Sequence, residues 1–158
     1  MSDPYLWLKW LHVVSATVLF GTGLGTALHL WLAHLRRDPR AIAVVARNVV
    51  LIDGLFTASS GMVQPLSGFG LVTLAGVDPW SSWLVVSYGL YALAALCWFR
   101  VVRLQIRVRD IAAAAVAEGR ALPPEYDRRM RAWFVLGWPA FLSLLGIFAL
   151  MVMRPALW

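Results

Sequence analysis

The chain contains four apolar stretches that are each long enough to cross a lipid bilayer. They run from Tyr5 to Leu35, from Asn48 to Ala75, from Trp80 to Phe99 and from Ala132 to Met153. A hydrocarbon layer about 30 Å thick needs about 20 helical residues, and all four stretches meet that length. The sequence therefore predicts an all-α fold, an integral membrane four-helix bundle in which every polar group inside a span needs an explanation.

Composition supports a membrane protein over a soluble one. Apolar residues make up 61% of the 158 residues, whereas ordinary globular domains contain about 45–50%. This length suits one small bundle, so we expect residues 1–158 to form a single four-helix transmembrane domain. Cys97 is the one cysteine, which excludes an intrachain disulfide, and its apolar neighbours predict a buried packing residue.

The distribution of basic residues predicts the orientation of the bundle. Twelve of the fourteen basic residues lie in the connections after spans one and three. By the positive-inside rule those connections face the cytoplasm of a bacterial inner (plasma) membrane, and both termini lie on the outer, periplasmic side. Because this charge lies in loops beside lipid headgroups, we expect contact with membrane lipid and none with nucleic acid.

The connection between spans three and four is predicted to be largely helical. Residues Gln105 to Glu118 form an alanine-rich stretch with alternating charge, and Gly119 is a plausible stop signal. The following Leu122-Pro123-Pro124 sequence favours an extended turn. We therefore expect the third helix to continue past the membrane surface, turn at the prolines and return as the fourth.

His12 is the foremost candidate for chemistry. It lies about 10 Å below the outer membrane surface at 1.5 Å per helical residue. A histidine at that depth serves as a metal or haem ligand, as a proton carrier or as a hydrogen-bonded packing residue. Gly21, Gly23 and Gly25 follow on the same helix, where small residues admit either a flat ligand or a neighbouring helix.

A second ligand for His12 must come from another helix or from a second identical chain, which would make the protein a homo-oligomer. His29 is excluded as a partner because it lies about 25 Å away along the same helix. The candidates at matching depth on spans two and three are Met62, Gln64, Ser67, Tyr88 and Tyr91.

Asp53 is the one carboxylate predicted inside a span. An unpaired carboxylate in lipid is costly, so it must be neutral, paired or turned toward a wet cavity. His29 and Arg100 lie at about the same depth and are the candidate partners of an ion pair. A proton path from the cytoplasm toward the membrane centre is the alternative role for these three residues.

A longer pattern covers nearly the whole chain. It opens with the Tyr5 to His12 segment and the glycine run, and continues through Gln64-Pro65-Leu66. It closes with Leu136 to Phe141 and the basic-Pro step Arg154-Pro155. On these residues the chain resembles a bacterial family of predicted integral membrane proteins of unassigned function.

More distantly the chain is similar to the HemJ type of protoporphyrinogen oxidase, a four-helix haem b protein. Lys9 and His12 match the Lys-x-x-His pair that opens its first helix, so this resemblance implies His12 as the axial ligand of haem b. CopD-type membrane domains share a similar opening helix. The third span, Trp80 to Phe99, lacks the basic residue expected in the HemJ group, which argues against porphyrinogen oxidation itself.

Three classes of function follow. The first is a haem b protein that transfers electrons with quinone or another redox protein, and a HemJ-like membrane oxidoreductase belongs to this class. The second is CopD-like copper or ion handling, with methionines as soft ligands. The third is a non-catalytic accessory subunit of a membrane complex. The residues assigned to cofactor binding are His12 as the metal ligand with Lys9, Gly21, Gly25, Met62, Gln64 and Tyr88 around it.

Overall fold

The structure, a computed structural model, describes residues 3–158 as an all-helical bundle without strands. The helices are α1 (Pro4–Arg36), α2 (Pro39–Ile52), α3 (Ala58–Ala75), α4 (Ser82–Ala117) and α5 (Pro124–Met153). One π-helical turn (Asp53–Thr57) joins α2 to α3, so that they form one continuous rod. Four helical rods are thus long and apolar enough to cross a membrane, as predicted.

Two helices extend further than the apolar stretches alone indicate. The second rod begins at Pro39, nine residues before the predicted start, because the Asp38 side chain caps its first turn and accepts a hydrogen bond from the Arg40 backbone N–H. α4 continues to Ala117, and Gly119 adopts a positive φ of 63° before the proline turn. The prediction that the third helix passes the apolar segment and returns at the prolines is confirmed.

The rods pair as two hairpins. α1 packs along the α2–α3 rod, and α4 packs along α5. The two hairpins meet mainly where α2 contacts α4, at the end of the bundle that carries the connections after α1 and α4, which we call the arginine-rich end. The first and last described residues, Asp3 and Trp158, lie at the opposite end of the bundle. We call it the tryptophan end, after Trp7, Trp10, Trp80, Trp83 and Trp158. There Ser82 Oγ accepts a hydrogen bond from the Leu157 backbone N–H.

The tightly packed core of the molecule lies at the arginine-rich end. It joins α1, α2, α4 and α5 through the following buried residues: Leu30, Ala33, Ile42, Ala46, Val49, Val108, Ala112, Tyr126, Met130 and Trp133. Outside this core, the Arg37 guanidinium forms an ion pair with Asp127, and that hydrogen bond and charge raise the pKa of Arg37. Elsewhere α1 meets α5 through stacked aromatic pairs, such as Phe20 with Phe141, with ring centroids 5.2 Å apart.

Candidate functional site

The His12 imidazole lies between α1 and α3. Its Nδ1 atom is 2.8 Å from the Ser67 hydroxyl oxygen. A Cβ atom added to Gly68 would come within 3.4 Å of His12 Cε1, so the glycine lets the ring lie against the backbone of α3. Of the candidates that sequence depth placed opposite His12, Ser67 is thus the one that contacts its ring.

The hydrogen bonds of Ser67 determine which nitrogen of His12 carries the proton. The Ser67 hydroxyl donates to the Val63 carbonyl oxygen, with a distance of 2.6 Å between the oxygens. A hydroxyl has one proton, so Ser67 Oγ accepts from His12 Nδ1–H. The other nitrogen, Nε2, then carries a free lone pair, and no residue in the described part of the chain hydrogen bonds with it.

Gln64 forms the remaining hydrogen bonds of what we call the His12 cluster, which consists of His12, Ser15, Gln64 and Ser67. Its Nε2 group donates to the His12 backbone carbonyl at 2.9 Å and to the Ser15 hydroxyl at 2.5 Å. The Ser15 hydroxyl in turn donates to the same His12 carbonyl at 3.1 Å. Gln64 therefore holds the backbone around His12 and does not approach the imidazole ring as a second ligand.

The other residues of α1 assigned to a haem pocket do not gather around His12. Lys9 is exposed, with its Nζ atom 5.9 Å from the centre of the Tyr5 ring. Gly21 and Gly25 are exposed as well, and an added Cβ would meet no atom within 4 Å at either position. The glycines therefore neither pack against a neighbouring helix nor face the imidazole.

The assigned residues of α3 and α4 also lie apart from the imidazole. Met62 is 64% exposed. It lies five residues before Ser67 on α3, and therefore nearer the arginine-rich end than His12. The buried hydroxyl of Tyr88 has no hydrogen-bond partner among residues 3–158, and its ring stacks on Phe69. Neither side chain is placed as a second axial ligand.

Pro65 breaks the hydrogen bonding of α3 near the middle of the membrane. Proline has no backbone N–H, so the carbonyl of Gly61, four residues earlier, loses its helical donor. The Tyr91 hydroxyl on α4 donates to that carbonyl instead. Pro65 thus frees a carbonyl at this depth, and the tyrosine that satisfies it also links the two hairpins.

The hydrogen-bond partners of the Asp53 carboxyl group differ from the predicted ones. The side chain is only 4% exposed, and Oδ1 accepts hydrogen bonds from the hydroxyls of Thr26 at 2.9 Å and Thr57 at 3.1 Å. Oδ2 accepts from Gln105 Nε2 at 2.9 Å. Neutral groups thus surround the carboxyl group, and Asp53 and Thr57, the first and last residues of the π-turn, are both buried in the bundle.

The expected ion pair of Asp53 is therefore wrong for both candidates. His29 and Arg100 are exposed on the outside of the bundle, and neither forms an ion pair with Asp53 among residues 3–158. Sequence gives depth but not direction around the helix axis, and these two side chains point away from the carboxyl group. His34, farther along α1 than His29, has its Nδ1 atom 3.1 Å from the Tyr126 hydroxyl oxygen.

The acidic, histidine and cysteine side chains of residues 3–158 do not form a metal cluster. In the described part of the chain, no group of three His, Cys, Asp or Glu side chains is close enough to hold an ion. Met130 and Met151 lie near opposite ends of α5, about 30 Å apart at 1.5 Å per residue. The two methionines, which are soft metal ligands, are therefore too far apart on this helix to bind one ion together.

A cavity of about 620 Å³ lies between the two hairpins, between the His12 cluster and the packed core. Asp53, Thr57 and Gln105 form part of its wall, and most of the remaining wall is aromatic or aliphatic. His12 does not line it. Sequence reasoning missed this site, although a polar Gln105 between Leu104 and Ile106 was a signal that it faces the interior.

The residues around His12 fit one axial bond to a haem iron. The imidazole offers Nε2, and a hydrogen bond from the opposite nitrogen to a fixed acceptor is the usual support for such a ligand. No second axial side chain faces that nitrogen within residues 3–158. A haem at His12 would therefore occupy a position separate from the cavity of the bundle.

Comparison with known proteins identifies the family of the chain. No curated protein and no solved structure matches the chain. A family model described as "predicted integral membrane protein" matches residues 6–155, nearly the whole chain. The likenesses to HemJ and CopD remain predictions. With its four apolar helical rods, the chain is an integral, multi-pass membrane protein, and it belongs to the family of predicted integral membrane proteins DUF2269.

Proposed function

We propose that this protein binds haem b through His12 and takes part in electron transfer or related redox chemistry in a bacterial inner membrane. The observation that carries the proposal is the hydrogen bond from His12 Nδ1–H to Ser67. It leaves Nε2 as the nitrogen with a free lone pair, which is the form of imidazole that binds iron. Bound haem b supplies a one-electron redox centre.

The residues around His12 have separate roles in this proposal. Ser67 fixes the tautomer and the rotation of the ring, because its own proton is committed to the Val63 carbonyl. Gln64 fixes the backbone of His12 relative to α3. Lys9 lies one turn nearer the tryptophan end and is exposed, which makes it the candidate partner of a haem carboxylate.

An optical spectrum tests the proposal directly. We expect the detergent-solubilised protein to show a Soret band that shifts on reduction with dithionite, and His12→Ala to abolish it. Ser67→Ala should keep the band but lower haem affinity by about 10–100-fold, because the second nitrogen loses its support.

Ser143→Ala is the matched control for Ser67→Ala. Ser143 is also buried, and its hydroxyl donates to the Pro139 carbonyl, four residues earlier, in the same way, but it contacts no histidine. The control should bind haem like the unmodified protein. A colourless preparation from cells supplied with haem, or a spectrum unchanged by His12→Ala, would contradict the proposal.

The orientation of the protein is part of the same proposal. We infer that the arginine-rich end faces the cytoplasm, because twelve of the fourteen basic residues lie there. Single cysteines introduced at Arg120 and Asp78, in a Cys97→Ser background, report the two faces. A membrane-impermeant thiol reagent applied to intact spheroplasts should label the Asp78 position and spare the Arg120 position. The reverse pattern would show the opposite orientation.

A further inference from the structure

Two hydrogen bonds join the α2–α3 rod to α4, and the cavity extends between them. The Tyr91 hydroxyl donates to the Gly61 carbonyl, and Gln105 Nε2 donates to Asp53 Oδ2. All four residues line the cavity. Tyr91 and Gln105 are fourteen residues apart on α4, about 21 Å along the helix axis. We call the stretch between these two bonds, where the rod faces α4, the seam.

Small side chains leave the seam open toward the lipid. Ala58 of α3 and Ala95 of α4 both line the cavity, and both are half-buried. Ala58 lies three residues before Gly61 on its helix. Ala95 lies four residues after Tyr91, so the two alanines stand at about the same depth. The next residue on that face of α4, Phe99, lines the cavity and is exposed. A chain dissolved in the bilayer can therefore enter the cavity sideways through the seam.

The cavity suits a hydrocarbon chain. Most of the residues that line it are aliphatic or aromatic, such as Leu19, Leu24 and Leu144. Its volume of about 620 Å³ lies within the range of about 300–1,000 Å³ that small-molecule sites occupy. One leaflet of a hydrocarbon core about 30 Å thick is about 15 Å deep. The seam, at about 21 Å, is therefore long enough for the acyl chain of one leaflet.

Three exposed arginines stand at one end of the seam. Arg100, Arg103 and Arg107 follow Phe99 on α4, and none of them forms an ion pair among residues 3–158. Arg103 lies four residues after Phe99, and hence one turn further along the same face of the helix. It also lies two residues before Gln105, which closes the seam on the side of the arginine-rich end.

These arginines lie at the depth of lipid phosphate groups. The apolar run of α4 from Trp80 to Phe99 has twenty residues, about 30 Å of helix, which matches the thickness of a hydrocarbon core. The charged residues that follow it therefore reach the headgroup layer. A guanidinium group without a protein partner can bind a phosphate group there through two parallel hydrogen bonds.

We propose that the seam binds one anionic phospholipid from the leaflet on the arginine-rich side of the membrane. One acyl chain lies in the cavity between Ala58 and Ala95, and the phosphate group contacts Arg103. Arg100 and Arg107, about one turn to either side, add positive charge that favours an anionic headgroup over a zwitterionic one. This lipid would supply both the chain that fills the cavity and the counter-charge of the arginines.

Native mass spectrometry of the detergent-solubilised protein tests the recognition of the headgroup. The probes are dioleoyl phosphatidylglycerol, which is anionic, and dioleoyl phosphatidylcholine, which has the same chains on a zwitterionic headgroup. We expect one tightly bound lipid per chain, with phosphatidylglycerol preferred by at least about fivefold, the value of one arginine at a membrane surface. Arg103→Gln should weaken the binding of phosphatidylglycerol by about fivefold and that of phosphatidylcholine less.

Arg128→Gln is the matched control for the headgroup. Arg128 is also exposed and also lacks an ion pair among residues 3–158, but it stands on α5 and does not line the cavity. This variant should keep the affinity for both lipids.

The same titration with Ala95→Phe tests the acyl chain. The larger side chain fills the seam, so it should weaken both lipids alike, by about tenfold or more, the value of about two buried methylene groups. Ala92→Phe is the matched control, because Ala92 lies on the same helix but is exposed and does not line the cavity. If Ala95→Phe fails to fold, Ala58→Leu narrows the seam from the other helix and should act in the same direction.

Several outcomes would overturn the proposal. Equal affinity for the two lipids would remove the role of the arginines, and an equal loss in Arg103→Gln and Arg128→Gln would show a diffuse attraction to the arginine-rich end. Affinities that the seam variants leave unchanged would remove the role of the cavity. Displacement of the lipid by glycerol 3-phosphate would show an anion site that needs no chain. His12 does not line the cavity, so His12→Ala should bind the lipid normally, and failure of the haem proposal is distinguishable from failure of this one.

Discussion

The two polar sites inside the membrane part of the bundle differ in how completely the chain satisfies them. Around His12, the serine, glutamine and backbone groups form hydrogen bonds with one another. Of the two nitrogens of the His12 ring, Nδ1 bonds with Ser67, and Nε2 has no partner among residues 3–158. Around Asp53, an equally ordered network ends at Gln105, whose Oε1 atom is buried and has no hydrogen-bond partner among residues 3–158. The first site leaves a ring nitrogen of a half-buried side chain to bind a ligand, whereas the second uses its hydrogen bonds to hold a buried carboxyl group.

The difference follows from packing. α1 and α3 run in close contact, so His12 meets Ser67 and Gly68 directly. The two hairpins, in contrast, are held together by the packed core at the arginine-rich end and by the bond from Tyr91 to Gly61. Between these two attachments aromatic pairs such as Phe20 with Phe141 bridge the hairpins, and the space that they leave is the cavity.

The largest loss of stability should come from removing the Asp53 carboxyl group, which accepts hydrogen bonds from Thr26, Thr57 and Gln105. Asp53→Ala takes the acceptor from Gln105 Nε2 and from two threonine hydroxyls. The Thr26 hydroxyl oxygen also lies 2.9 Å from the Thr22 carbonyl oxygen and can donate to it instead. The loss of the acceptor therefore affects Gln105 most. We expect the free energy of unfolding, measured by titration with SDS in mixed micelles, to fall by about 3 kcal/mol.

Asp53→Asn is the matched control for that loss. The amide oxygen still accepts from Thr26 and Thr57, and the new amide N–H₂ can donate to Gln105 after its side chain rotates. We expect a fall of no more than about 1 kcal/mol. Equal losses for the two substitutions would mean that the negative charge itself stabilises the fold, and that neutral hydrogen bonding is not the main role of Asp53.

A smaller loss of stability is expected from removing the hydrogen bond between Tyr91 and Gly61, which joins the two hairpins. Tyr91→Phe leaves the Gly61 carbonyl without a donor and should cost about 1–2 kcal/mol of unfolding free energy. Pro65→Ala restores the helical N–H that this carbonyl lacks. In the Pro65→Ala background, Tyr91→Phe should therefore cost clearly less, and additive losses in this double-mutant cycle would contradict the assignment.

The sequence predicted most of the fold because helix length in a membrane follows from apolar length. The turn at Pro123 and Pro124 was also predictable, since proline restricts the residue before it. The start of the second rod was misjudged, because Arg40 and Arg47 interrupt the apolar run while Asp38 and Pro39 still start a helix. Helical caps, in this case, determine the boundary where hydropathy does not.

The sites were only partly predictable. Depth along the helices brought Ser67 to the level of His12, and the contact exists. Depth could not exclude Arg100 and His29 as partners of Asp53, because it does not give the direction in which a side chain points around its helix axis, and both side chains are exposed. The cavity could not be predicted at all, since it depends on how far two hairpins stay apart and not on any local pattern.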